Sequence, residues 1–131
     1  MAAVLLDTTV LIDLLRGRPG AGSRLQSLRS AGDMPYVCAV NVEEVVRGLR
    51  ASERDAAGRL LAGLRTIPLG EDEGWRAGDW RREFAARGHT LAQADCLVAA
   101  AAHAAQARVA TGNPKDFPFT ELTIENWPTG E

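Results

Sequence analysis

Val4, Leu5 and Leu6 form a short uninterrupted apolar run, and from Val10 onward the apolar spacing changes to Val10, Leu11, Leu14 and Leu15. A run without alternation fits a strand covered on both faces, whereas the second spacing fits one side of a helix. The same change of period recurs along the chain. After the Pro/Gly break "GRPGAG", a helix runs through Leu25 and Leu28 and closes at Gly32. "PYVCAV" then reads as a buried strand and "NVEEVVRGLR" as a helix with Val42, Val45, Val46 and Leu49 on one stripe. "SERDAAGRLLAGLR" continues helically with Ser52 as its cap, ahead of a short strand, "TIPL".

"EDEGWRAGDWRREFAARG" is helical by its Ala77, Trp80 and Phe84 spacing and ends at Gly88, with Trp75 and Trp80 expected as core anchors. "HTLAQADCLVAAAAHAAQA" is the strongest helix, opened by Thr90 and Gln93 in capping-box spacing. "RVAT" reads as a strand, "GNPKDFP" as a loop and "LTIENW" as a last edge strand. Strands alternating with helices predict an α/β fold, a mostly parallel central sheet sandwiched between helices, with residues 1–131 as one domain. Ligands in such folds sit at the carboxyl ends of the strands.

Composition adds limits. No apolar stretch is long enough to span a bilayer and the start lacks a basic leader, so a soluble, cytoplasmic protein with no membrane partner is expected. Cys38 and Cys96 lie far apart among apolar neighbours and read as reduced core residues. The formal charge of -2 does not announce a nucleic-acid partner. Gathering several carboxylates around a metal would, however, leave the remaining surface positive, and nearly all of that charge is arginine, because Lys115 is the sole lysine.

Four acids stand out. Asp7 ends the first apolar run, where it, Thr8 or Thr9 can equally cap the next helix. Asp95 has only Leu91, Ala92, Val98 and Ala99 as helical neighbours, so a charge partner, arginine or metal, is required if that helix is central. Asp116 lies in a Gly/Asn/Pro loop beyond "RVAT", beside Thr111 and Asn113, at the edge expected to carry Asp7. Glu43 and Glu44 both fall off the valine stripe, and periodicity does not choose between them. Gly48, one turn after Glu44, would leave a gap for an approaching segment or ligand. Carboxylates converging without histidine or cysteine at ligand spacing select a hard cation, Mg²⁺ or Mn²⁺.

The segments "LLDTTVLIDLLRG", "VNVEEVVRGL", "QADCLVAAAA" and "VATGNPKDF", in this order, resemble the PIN-domain ribonucleases, specifically the VapC-type toxins of bacterial toxin–antitoxin pairs. The resemblance covers essentially the whole chain. It implies an endoribonuclease dependent on Mg²⁺ or Mn²⁺, with Asp7, Glu44, Asp95 and Asp116 as catalytic and metal-binding residues, and Thr8, Thr111 and Asn113 in support. It also implies an RNA substrate, a cognate antitoxin and a homodimer. The helices near Val10–Arg18 and Val42–Arg50 are the expected antitoxin groove, from their apolar stripes. Two positions depart from the pattern: Asn41, where threonine is frequent, and Gly112, where arginine is common. The competing reading is a non-catalytic module of the same fold that only binds.

Overall fold

In the computed structural model, which describes residues 1–131, five strands stand side by side in the order β3-β2-β1-β4-β5. They are β1 (Ala3–Leu6), β2 (Met34–Cys38), β3 (Arg65–Ile67), β4 (Arg108–Thr111) and β5 (Ile124–Asn126). Every neighbouring pair is parallel, so the sheet expected to be mostly parallel is wholly so. Six helices connect and cover it: α1 (Thr8–Leu15), α2 (Pro19–Ser30), α3 (Ala39–Arg47), α4 (Arg54–Ala62), α5 (Glu71–Ala86) and α6 (Gln93–Ala104).

The apolar strand runs are explained by burial on both faces. Leu5, Cys38 and Val109 point into one layer with Trp80, Phe117, Phe119 and the alanines of α6. Their strand neighbours Val4, Leu6, Val37 and Ala110 point the other way, against Val10, Leu11, Leu25, Leu28 and Val45. Each buried aliphatic side chain contributes about 1.5–3 kcal/mol, and the two layers clamp the sheet from opposite sides. Both cysteines are buried and free, as expected. At the amino ends of the strands, Arg108 bridges Asp33 at 3.1 Å and Glu125 at 2.7 Å. No helix is long and apolar enough to cross a membrane.

Several local expectations change. Trp75 is 68% exposed while Trp80 is 3% exposed. Five residues turn a helix through about 140° beyond a full turn, so the two rings cannot share the core face. Ser52 does not cap a helix: Ala51–Glu53 form a 3₁₀ turn in which the Arg50 N–H donates to Glu53 at 2.9 Å, and α4 starts at Arg54. The third strand lies one residue earlier than "TIPL" and stops before Pro68, which has no N–H to offer a ladder. "GRPGAG" is only half a break, because Pro19 opens α2 as its first residue. The capping box of Thr90 and Gln93 is not made; α6 begins at Gln93 with Ala92 as an uncapped boundary.

Candidate active site

β1 delivers Asp7 to the carboxyl edge, and its backbone N–H still pairs with the Ala110 carbonyl at 2.9 Å before α1 turns the chain away. Asp7 occupies the N-cap position, yet its side chain makes no capping bond. The carboxylate faces inward instead, 6% exposed. It accepts the Thr111 hydroxyl at 2.8 Å and, more weakly, Thr9 at 3.5 Å and the Asn41 amide at 3.4 Å. Thr111 stands at the end of β4, adjacent to β1, so sheet order brings the two together. Burial raises the Asp7 pKa, opposed first by the Thr111 hydrogen bond and the backbone at Thr8, and reinforced by the Glu44 charge.

Asn41 ties the second strand's edge to this group. Fully buried in the first turn of α3, it accepts the Cys38 backbone N–H at 3.3 Å and donates to Asp7 and, at 3.2 Å, to the Thr8 hydroxyl. An amide N–H only donates. The Thr8 oxygen must therefore accept, which commits its one proton to Glu44 at 2.7 Å. Glu44 is half-buried against this chain and Glu43 is exposed, a distinction periodicity did not provide.

Asp95 sits in the first turn of α6, and Asp116 in a 3₁₀ turn, Pro114–Asp116, beyond β4. Asp95 takes part in none of the four ion pairs of the molecule, so the arginine partner that its surroundings allowed is not there. Its pKa is pushed up to about 6 by burial, then by the charges of Asp7, Asp116 and Glu44. The four acids thus share one electrostatic field, and none of them is ion-paired to a cationic side chain. Thr111 also accepts the Asn113 backbone N–H at 3.0 Å, and Thr9 accepts that of Gly112 at 2.9 Å. These bonds fix the loop carrying Asp116; the Asn113 side chain itself is exposed.

The donor set fits a hard divalent cation: carboxylate and hydroxyl oxygens, with both cysteines, Cys38 and Cys96, raised in pKa by burial and so held as neutral thiols. The side chains do not form a closed cage, since no three acids, histidines or cysteines converge to ligand geometry. Like charges without a counter-ion repel, consistent with an open arrangement. Asn41 and Thr9 are the members that sequence reasoning did not assign; the signal for Asn41 was a polar residue on an otherwise apolar strand-to-helix junction.

Two glycines behave differently from one another. Gly48 ends α3, and a Cβ there would meet only ordinary contacts with the Glu44 and Val45 carbonyls, so the expected approach of another segment at this position is not seen. At Gly112 a Cβ would collide with the Thr129 hydroxyl. The C-terminal residues occupy the space that a side chain at 112 would need, held by the Gly130 N–H on buried Asp13 at 2.9 Å.

Comparison with known proteins agrees with this fold. The family model described as PIN domain matches residues 4–121. Ribonuclease VapC10 of Mycobacterium tuberculosis (strain ATCC 25618 / H37Rv) is 36% identical over 118 residues, 90% of this chain and 88% of that protein. The structure of VapBC2 from Rickettsia felis bound to a DNA fragment from their promoter aligns with TM-score 0.85 at 20% identity, over 95% of this chain and 98% of the other. A toxin-antitoxin complex from Klebsiella pneumoniae aligns with TM-score 0.68 at 26% identity, over 92% of this chain and 99% of the other.

Proposed function

The chain belongs to the PIN-domain family, among its VapC ribonucleases, and on that premise we propose that it is an endoribonuclease using Mg²⁺ or Mn²⁺ at Asp7, Glu44, Asp95 and Asp116. The observation that carries the reading is the electrostatic convergence of these four carboxylates, from β1, α3, α6 and the loop after β4, with no arginine or lysine paired to any of them. A cation is the missing partner for such a group.

Asp7, Asp95 and Asp116 would hold the ion, directly or through water, which when bound supplies Lewis acidity and a water of lowered pKa. Thr111, Thr9 and Asn41 keep Asp7 from rotating, so its oxygens stay aimed at the edge. Thr8 fixes the Glu44 carboxylate, and Glu44 takes a proton from the attacking water as general base. Water as nucleophile leaves the RNA 2′-hydroxyl unused, so products with 5′-phosphate and 3′-hydroxyl ends are expected rather than cyclic phosphates.

The toxin-antitoxin complex from Klebsiella pneumoniae among the aligned structures supports a cognate antitoxin as partner. Its docking groove is assigned to α1 and to α3 with the residues just beyond it, where Val46 is 40% exposed and Leu14, Leu15, Val42 and Leu49 are half-buried. A homodimer acting in the cytoplasm completes the reading, with residues 1–131 as a single domain. The test is cleavage of single-stranded RNA by purified protein with Mn²⁺, with EDTA, and with Asp7→Asn. Cleavage that needs the metal and is lost in Asp7→Asn is expected; undiminished cleavage by Asp7→Asn overturns the proposal.

A further inference from the structure

A cavity of about 670 Å³ opens directly beside the acidic edge, within the roughly 300–1,000 Å³ typical of small-ligand sites. Asp95 and Asp116 form part of its wall, and His89, Leu91, Lys115 and Pro118 line the rest, with Phe84 and Thr90. Its far side is built by the end of α5. Gly88 takes a positive φ of 85°, and the His89 N–H returns to the Phe84 carbonyl at 2.9 Å while that of Gly88 reaches Ala85 at 3.0 Å. This is the Schellman pattern, which needs glycine at its left-handed position. It brings the His89 ring edge-on to Phe84, with centroids 6.4 Å apart. Phe84 is itself braced by Phe119 at 5.8 Å and covered by the Arg87 guanidinium at 4.3 Å. On the near side, the 3₁₀ turn that carries Asp116 places Lys115, the sole lysine, on the same cavity.

We infer that this cavity is a nucleotide subsite, receiving one unstacked nucleotide of single-stranded RNA next to the scissile phosphate, its base against Leu91, Pro118 and the His89 ring and its phosphate on Lys115. The inference rests on the nuclease reading, because the cation that Asp95 and Asp116 would help to hold is what would fix the neighbouring phosphate. Two carboxylates repel a phosphate strand, and an ammonium beside them offsets that repulsion. An acidic peptide would meet Asp95 and Asp116, and a basic one Lys115; a nucleotide combines an anionic group for the lysine with an apolar planar group for the other wall. A base inside a duplex cannot enter, so the subsite favours loops and single strands.

The test measures binding of a short labelled single-stranded RNA that carries a non-hydrolysable linkage at the cleavage position, with Mn²⁺ present, by wild type, Lys115→Ala and His89→Ala, alongside melting temperatures and the Mn²⁺-induced shift in melting. Lys115→Ala should weaken binding of every sequence alike and reduce the slope of log K against log salt by about 0.7. His89→Ala should weaken binding about tenfold, and an abasic residue at the cleavage position should weaken wild type more than His89→Ala, since the two changes share the contact between the base and the His89 ring. Both variants should keep wild-type melting and Mn²⁺ response. Variants that bind as wild type does, or an abasic penalty equal in wild type and His89→Ala, overturn the subsite while leaving the nuclease reading intact. If wild type binds RNA in no condition and does not cleave it with Mn²⁺, both readings fall together.

Discussion

Thr111 donates its hydroxyl to Asp7 at 2.8 Å across 104 residues of sequence, a side-chain bond between the carboxyl ends of the adjacent strands β4 and β1. The same oxygen accepts the Asn113 N–H at 3.0 Å, so one hydroxyl orients both the first acid and the loop of the last. Thr111→Val keeps the shape and removes both bonds. It should cost about 1–3 kcal/mol, the range for stranding buried polar groups, and weaken the response to Mn²⁺, whereas Thr111→Ser should retain most of each. Chemical denaturation with and without metal measures both effects; a Thr111→Val protein indistinguishable from wild type would contradict the assignment.

Burial first, and then the charges of Asp7, Asp116 and Glu44, disfavour the ionised form of Asp95. Its folded pKa, about 6, lies above its unfolded value near 3.8, so the metal-free protein is least penalised below pH 3.8 and loses stability as pH rises through about 6. Without metal, Asp95→Asn should therefore melt higher than wild type at pH 7, and the difference should shrink as pH falls toward 4. With Mn²⁺ the order should reverse, because the variant lacks a ligand. Melting curves across this pH range check the sign at each end.

Asn41 sets the direction of the hydrogen bonds reaching Glu44. Asn41→Ala strands the Cys38 N–H and frees the Thr8 hydroxyl to turn away from Glu44. A loss of about 1–3 kcal/mol is expected, together with a fall in kcat larger than any change in KM, since Glu44 acts on the water rather than on RNA binding. Steady-state cleavage kinetics separate the two; a change confined to KM would contradict this role.

The opening acids were legible because each breaks an apolar pattern: Asp7 interrupts a buried strand exit and Asp95 sits among Leu91, Ala92, Val98 and Ala99. Parallel pairing was legible for the same reason, since runs such as Val4–Leu6 leave no face for solvent. Glu44 could not be told from Glu43 by spacing, because what distinguishes them is a hydroxyl 36 residues away in sequence. Asn41 was hidden too, as its value depends on three partners, Cys38 at the end of β2 and Asp7 and Thr8 just beyond β1. Trp75 and the Thr90–Gln93 pair misled in the opposite direction: residue type and local spacing allowed a core contact and a capping box that helix phase and the actual start of α6 exclude.

The central claim is that four carboxylates are gathered at one sheet edge to hold a cation. Thermal unfolding of wild type and Asp7→Asn, with and without millimolar Mn²⁺, tests it most directly. A ligand at a hundredfold excess over its dissociation constant stabilises the native state by about 2.7 kcal/mol, a shift of several degrees for a domain of this size. The account predicts that wild type rises with Mn²⁺ and Asp7→Asn does not. Equal rises in both proteins, or none in either, would contradict it.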